Sequence, residues 1–457
     1  MQPTEDAVLE SYAAFAPHLL GKKPKRRRAA AVQRLRHVRS VLGFRAARGI
    51  IAGMKTLPLA VALAATAFAA PPEPKFLAQD LDLKIEIGYG VAVADVDGDG
   101  KPDILLADKK QFVWYRNPGK RGAAWDKFVL AENLTEKDNV CIAARDIDGS
   151  GKCSIAVGAE WNPGDTVNSG AVFYLIPPAD RTQKWEAVKF PSVEPTTHRM
   201  KWVRRGNNEH AKPRYDLVVV PLHGRGNKNG EGEGVKVIAY QKPANPRDEW
   251  KSEVLSDDMH MTHNLDVMPD PKKKPFEAIM IGGKEGMTAG EAKAEHGDFR
   301  HQIDHRKYSP PLKGIGELRA GWLAADKLFL ATIEPMHGNE LAIYPQTPVQ
   351  AGTPGPTRTV LDSTLEDGHA LACGDVLGLG RDQIVVGWRA MQKKGAKVGI
   401  KMFVPDEQGE KWTQHLIDDN TMACEDLVLA DLDGDGKLDI VASGRATKNV
   451  KIYWNGR

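Results

Sequence analysis

The run Val91-Ala92-Val93-Ala94-Asp95-Val96-Asp97-Gly98-Asp99-Gly100-Lys101-Pro102-Asp103-Ile104-Leu105-Leu106-Ala107 decides how this chain folds. Two apolar, β-prone segments flank a turn built largely from Asp and Gly, the pattern of an antiparallel hairpin. Phe112-Val113-Trp114-Tyr115 follows as a third strand. The arrangement returns near the C-terminus as Leu427 to Asp431, the turn Leu432-Asp433-Gly434-Asp435-Gly436-Lys437, the strand Leu438 to Ala442, and Val450-Lys451-Ile452-Tyr453-Trp454. Weaker copies lie between them. They run Ile142 to Asp146 with Ile155 to Val157, Asp216 to Val220 with Val235 to Tyr240, Ala278 to Ile281, Leu328 to Ile333 with Leu341 to Tyr344, and Leu371 to Asp375 with Ile384 to Val386. A period of about 50 to 65 residues marks a repeat architecture.

A fourth, outer strand is predicted where a Trp opens an alternating run, at Trp125, Trp185, Trp250 and Trp412. About seven units fit the chain, and the last stops at Trp454-Asn455-Gly456-Arg457, just after its third strand. Phe76 to Leu83 is a spare outer-strand segment at the other end. The prediction is an all-β, seven-bladed β-propeller over residues 76–457, closed by that N-terminal outer strand in the last blade. Such closure leaves only short, protected edges. An open solenoid of the same hairpins needs capping repeats, and none is visible.

The composition agrees. A chain of 457 residues, 42% hydrophobic, with 44 Gly and 29 Pro has material for one large domain or two ordinary ones and is not a coiled coil. Lys plus Arg (63) nearly cancel Asp plus Glu (60), and a net charge of +3 supplies no field of the kind nucleic acid requires. Four cysteines, none in a CxxC pair, exclude a disulfide scaffold and a zinc finger.

Residues 1–53 are a basic extension carrying Lys22-Lys23-Pro24-Lys25-Arg26-Arg27-Arg28. Residues 54–70 then follow the order of a secretory signal: Met54-Lys55, an apolar run from Leu57 to Phe68, and the small residues around Ala69-Ala70. That run is short of the roughly 20 residues that span a bilayer. Met54 is therefore the expected true start and 1–53 an over-called extension; a real basic tail before an uncleaved anchor is the alternative. Residues 71–75 form a Pro-rich linker. The expected location is periplasmic or secreted, with no stable membrane span.

Asp95, Asp97, Asp99 and Asp103 place carboxylates on one side of a tight loop, with the Lys101 carbonyl within reach, and hard oxygen donors in such a loop suit calcium. Asp431, Asp433, Asp435 and Asp439 repeat the set, with Lys437 in the place of Lys101. The second unit keeps Asp146 and Asp148 but has Ser150 and Ser154, and the sixth keeps only Asp375. A structural calcium is expected, since these loops carry no acid, base or nucleophile.

If the Asp turns lie at one face of the ring, innermost strands start at the other. Counting back from each turn puts Cys141, His198, His263, His369 and Glu425 or Asp426 at those starts, with Gly90 in the first unit. Loops on the same face bring Glu160-Trp161, His223, Lys284-Glu285, Glu334 with His337, Trp388-Arg389 and Arg445. Imidazole and carboxylate gathered at a solvent-accessible mouth bind a transition metal or act as acid and base. Trp161 and Trp388 are candidates for stacking on sugar rings, or else for packing between blades. Met287 to Pro311, with His296, His301 and His305, reads as a long insertion near the mouth.

The D-x-D-G-D-G turn between apolar strands resembles the FG-GAP/VCBS repeat family, which implies the propeller and calcium without fixing a function. His198-Arg199-Met200-Lys201-Trp202, His263-Asn264-Leu265-Asp266, His337-Gly338-Asn339-Glu340-Leu341 and Asp367-Gly368-His369-Ala370-Leu371 resemble the propeller of aldos-2-ulose dehydratases. These are lyases that eliminate water from keto-sugars. The fungal enzyme's cupin-like region has no counterpart after the propeller. The resemblance implies a small carbohydrate substrate and a β-elimination. His198 and His263 are then ligands or base, with Glu160 and Glu425 as further ligands of a divalent transition metal. His337 and His369 are acid and base candidates, and Arg389 steadies the enolate. His223, Trp161, Trp388 and Arg445 are left for substrate binding. A non-catalytic glycan- or protein-binding propeller and a polysaccharide lyase are the competing readings.

Overall fold

A computed structural model describes residues 72–191, 193–206, 214–268, 276–291, 299–304, 314–346, 358–391 and 393–456. The basic extension, the signal-like segment, His296 and His305 lie outside these residues. The described chain forms seven four-stranded antiparallel sheets and no helix, a seven-bladed β-propeller. Among the described residues, no helix is long and apolar enough to cross a membrane.

Each blade follows from one hairpin pattern. In the first, the inner strand Gly90–Ala94 pairs with Asp103–Ala107, which pairs with Gln111–Arg116, which pairs with the outer strand Asp126–Glu132. Second strands are apolar on both faces because a neighbouring blade covers each: every residue of Asp103–Ala107, Ala278–Gly283 and Gln383–Trp388 is buried. Outer strands alternate, as in Trp412–Asp419, because one face meets water. The Trp-led outer strands expected at 125, 185, 250 and 412 are all present.

The core lies between blades. Trp114 and Leu130 of the first blade pack with Ile155, Val157, Phe173 and Trp185 of the second. Ile104, Val113 and Tyr115 of the first pack with Val441, Val450, Ile452 and Trp454 of the seventh. Asn117 Nδ2 donates to the Leu432 carbonyl at 2.7 Å, and Asn455 Nδ2 does the same one blade back, to Val376 O at 2.7 Å. The seventh sheet has the order Phe76–Asp82, Asn449–Asn455, Asp439–Gly444, Cys424–Ala430.

Two expectations are corrected. Met287 to Pro311 is not an insertion beside the ring in the part described: Gly286–Glu291 and Phe299–Asp304 pair as the third and fourth strands of the fourth blade. Met287-Thr288-Ala289-Gly290 is poor in β-branched residues, which hid the strand. The fifth blade's inner strand, Glu317–Ala324, was also missed, because Glu317 and Arg319 interrupt the apolar run.

Candidate functional site

In four blades the inner strand begins with a β-bulge, and the extra residue is a candidate site residue each time. Thr197 and Arg199 face consecutive partners and leave His198 over. His263, His369 and Glu425 are left over in the same way in the fourth, sixth and seventh blades. A bulge re-aims the extra side chain out of the ladder. The first, second and fifth blades start straight, with Gly90, Cys141 and Glu317 paired. His337 arrives from the fifth blade's loop between second and third strands, at a positive φ of 54°.

Two of these bulges and this loop bring three imidazoles together. Ring nitrogens of His263, His337 and His369 all lie within 4.8 Å of one another. The ring centroids are 4.6 Å apart for His263 and His337, 5.1 Å for His263 and His369, and 5.0 Å for His337 and His369. His263 Nδ1 lies 3.0 Å from the Gly316 carbonyl and His369 Nδ1 2.6 Å from the Glu425 carbonyl. A carbonyl only accepts, so both Nδ1 atoms carry the proton and both Nε2 atoms keep a lone pair. Burial drives the pKa of His263 and His369 well below the usual imidazole value, with Arg389 adding to it. His337 is pushed down to about 2 by burial and then by His263 and Arg389. All three rings are neutral at pH 7, the protonation state that metal ligation requires.

His198 adjoins this group without joining its set of ring nitrogens. Its ring is 4.6 Å from that of His263 and stacks on Trp161 at 5.1 Å. Arg199 Nη1 is 3.2 Å from His198 Nε2, so Nε2 accepts and Nδ1 holds the proton. That buried Nδ1 has no partner in hydrogen-bonding geometry. Burial, then Arg199, lowers its pKa far below the ordinary value.

The expected carboxylate ligands are engaged elsewhere. Glu425 is gripped by Arg389 Nη1 at 2.6 Å and Arg445 Nη1 at 3.0 Å. Arg389 also donates to Asp367 at 3.1 Å, and Arg445 stacks over Tyr89 at 5.0 Å. Glu160, at φ 56°, accepts from the Lys137 backbone. Neither belongs to the three-histidine group. Glu334 is buried between Thr332, Tyr344 and Arg358. His223 is buried beside the Thr196 turn with its Nδ1 unpartnered. Trp388 packs into the core between the fifth and sixth blades, donating to Lys397 O at 2.7 Å with Lys401 over its ring, which favours the packing reading for it. Trp161 is partly exposed.

At the opposite face, the carboxylates of Asp95, Asp97 and Asp99 form one cluster and those of Asp431, Asp433 and Asp439 another. Within the first loop Asp95 accepts from Gly98 N and Gly100 N, and Asp97 Oδ2 is buried without a hydrogen bond, 2.8 Å from Arg116. Asp103 does not join the first cluster: it accepts from Val96 N at 2.9 Å and Asn117 N at 2.8 Å and locks the turn. Asp439 makes the same two turn bonds and still sits in its cluster, whereas Asp435 does not. Lys101 and Lys437 direct their ammonium groups to Asp99 and Asp435. Arg121 of the first blade ion-pairs with Asp433 and Asp435 across the blade junction.

The inner strands enclose a cavity of about 430 Å³, with Arg145, Lys201, Asp266, Arg319, Cys373 and Asp426 in its wall.

Among solved structures the chain is similar to BBS1N in complex with ARL6DN, soaked with lead, at 13% identity, covering 83% of this chain and 96% of that one, with a TM-score of 0.48. It is similar to Saccharomyces cerevisiae Sqt1 at 10% identity, covering 83% and 97%, with a TM-score of 0.45. A chain of the Mitotic Checkpoint Complex gives 10%, 88%, 99% and 0.48 in the same order. No curated protein matches the sequence. Residues 95–157 match the FG-GAP-like repeat. Residues 169–347 match the family described as aldos-2-ulose dehydratase, beta-propeller domain, and that segment supplies His198, His263 and His337.

Proposed function

We propose that this protein is a carbohydrate lyase of the aldos-2-ulose dehydratase type, removing water from a keto-sugar at the histidine-lined mouth of the channel. The observation that carries the reading is the meeting of His263, His337 and His369, with two of the three rings oriented by backbone carbonyls and all three neutral. The donor set fits a divalent transition metal. Bound there, such an ion would polarise the ketone oxygen and stabilise the enolate.

The residues of the chain supply the rest. His198, neutral, held at Nε2 by Arg199 and stacked on Trp161, adds its ring to the wall beside His263. Arg389 and Arg445 are fixed by Glu425 and add positive potential as charge builds on the enolate. Trp161, held against His198, offers a face for a sugar ring. In the elimination the Cα–H proton passes to a base and its electron pair becomes the new double bond. The β-hydroxyl leaves as water with a proton from an acid.

One observation favours a metal-free version. His337 Nε2 is 2.7 Å from His263 Nε2, a hydrogen-bond distance. With the His263 proton on Nδ1, His337 donates through Nε2 and keeps on Nδ1 the lone pair that a base candidate needs, against a burial that holds its pKa at about 2. The proposal also takes the pairing of Phe76–Asp82 with Asn449–Asn455 as the closure of the ring, the Asp loops as structural calcium sites, and the protein as periplasmic or secreted.

Incubation with keto-sugars, followed by the ultraviolet absorbance of the enone, tests the reading. Turnover lost in His263→Ala and His369→Ala supports it; a protein that binds sugar without turnover is a binding module. Metal analysis of active protein decides between the two versions.

A further inference from the structure

Beneath the histidines the channel carries a second tier of side chains, and one of them touches the first. Glu317 opens the fifth blade's inner strand and is 2% exposed. Its Oε2 accepts from Asn264 Nδ2 at 2.6 Å, with Arg319 Nη2 3.4 Å away. Its Oε1 lies 3.3 Å from His263 Nδ1 and 3.7 Å from Arg199 Nη2. That oxygen is buried and has no partner in hydrogen-bonding geometry. A carboxylate oxygen of this kind is expensive to bury unless neighbouring positive ends compensate it. Here the compensating groups are the His263 N–H dipole and the arginines on either side.

We propose that Glu317 is the positioning residue of the site. Its carboxylate, 3.3 Å from the Nδ1–H that His263 presents to Gly316 O, adds to that carbonyl in favouring the tautomer that turns the Nε2 lone pair toward His337 and His369. Asn264 and Arg319 in turn hold the carboxylate: Asn264 Nδ2 donates to Glu317, while Arg319 Nη1 donates to Asn264 Oδ1 at 2.9 Å. The chain of contacts thus runs from the wall of the cavity to the mouth, and Glu317 acts through His263 without touching substrate. This inference rests on the proposed function for its consequence in catalysis, and on geometry alone for the state of His263.

The test compares full-length wild type with Glu317→Gln, which keeps the size and loses the charge, and Glu317→Asp, which keeps the charge and withdraws it. Cobalt(II) titration, read by the visible bands of the bound ion, is expected to show affinity weakened ten- to hundred-fold in Glu317→Gln, with a smaller loss in Glu317→Asp. Histidine-selective ¹⁵N spectra without metal, with His263 assigned through His263→Gln, are expected to show the Nδ1–H form in wild type and a mixture of tautomers in Glu317→Gln. Unchanged affinity together with an unchanged tautomer would overturn the inference. If wild type binds no cobalt, the metal version of the function fails and the nitrogen spectra alone decide the role of Glu317. If Glu317→Gln does not fold, Glu317→Asp carries both measurements, and its failure to move either one is equally decisive against the role.

Discussion

Deleting Phe76 to Leu83 removes the strand that borders the last blade and tests the closure of the ring. Six positions, from Phe76↔Asn455 to Asp82↔Val450, are paired with the third strand of that blade. The loss that the assay reads comes from side chains. Trp454, 1% exposed, loses the Gln79 Oε1 acceptor at 2.8 Å, and Tyr115 loses Asp82 at 2.8 Å. Uncovering half of one Trp, on the order of 100 Å², costs about 2.5 kcal/mol at 25 cal/mol per Å². With the two orphaned donors the loss is about 3–5 kcal/mol, a drop in melting temperature of roughly 5–10 °C. Thermal unfolding by circular dichroism measures the drop, and light scattering should report association through the bared edge. A deletion variant that melts with wild type and scatters light as wild type does refutes the closure.

Three other outcomes follow from the structure. Glu425→Ala leaves Arg389 and Arg445 without their shared carboxylate and should cost about 3–5 kcal/mol in urea denaturation; a loss below about 1 kcal/mol would show that the pair is not buried as described. Calcium should raise the melting temperature, by the equivalent of about 2.7 kcal/mol at a hundred times its dissociation constant, and Asp431→Asn with Asp95→Asn should abolish the shift; no response to calcium in wild type refutes the cation-loop reading. Burial pushes the Cys141 and Cys153 thiols up to about 12, and Cys424 is also raised and buried. These three should ignore a disulfide reagent at pH 8 and react after unfolding; fast labelling of the native protein contradicts their placement.

Much of the fold was legible because the repeat is written in alternation and turn chemistry. The Asp-Gly turns after Ala94 and Ala430, and the Trp-led outer strands, are local patterns that survive without tertiary context. The fifth blade's inner strand was illegible since Glu317 and Arg319 face the channel and break the apolar run that betrayed the other strands. The third strand of the fourth blade was lost to Gly and Ala, which carry no strand signal. At the site, His198, His263, His337 and His369 were all named from their positions in the repeat and expected at one mouth, but which three bring their ring nitrogens together was out of reach. His198 and His263 open neighbouring blades, yet Arg199 occupies the Nε2 of one, while His337, on a loop of positive φ, joins the other. Such partnerships depend on distances across the channel that sequence spacing does not encode.

The bulges at His198, His263, His369 and Glu425 have an evolutionary corollary. A residue that stands outside the ladder can be exchanged without shifting the register of the strand that follows. Chemistry at the mouth is therefore free to diverge blade by blade while the scaffold stays constant, and grafting new ligands onto this ring should begin at those four positions.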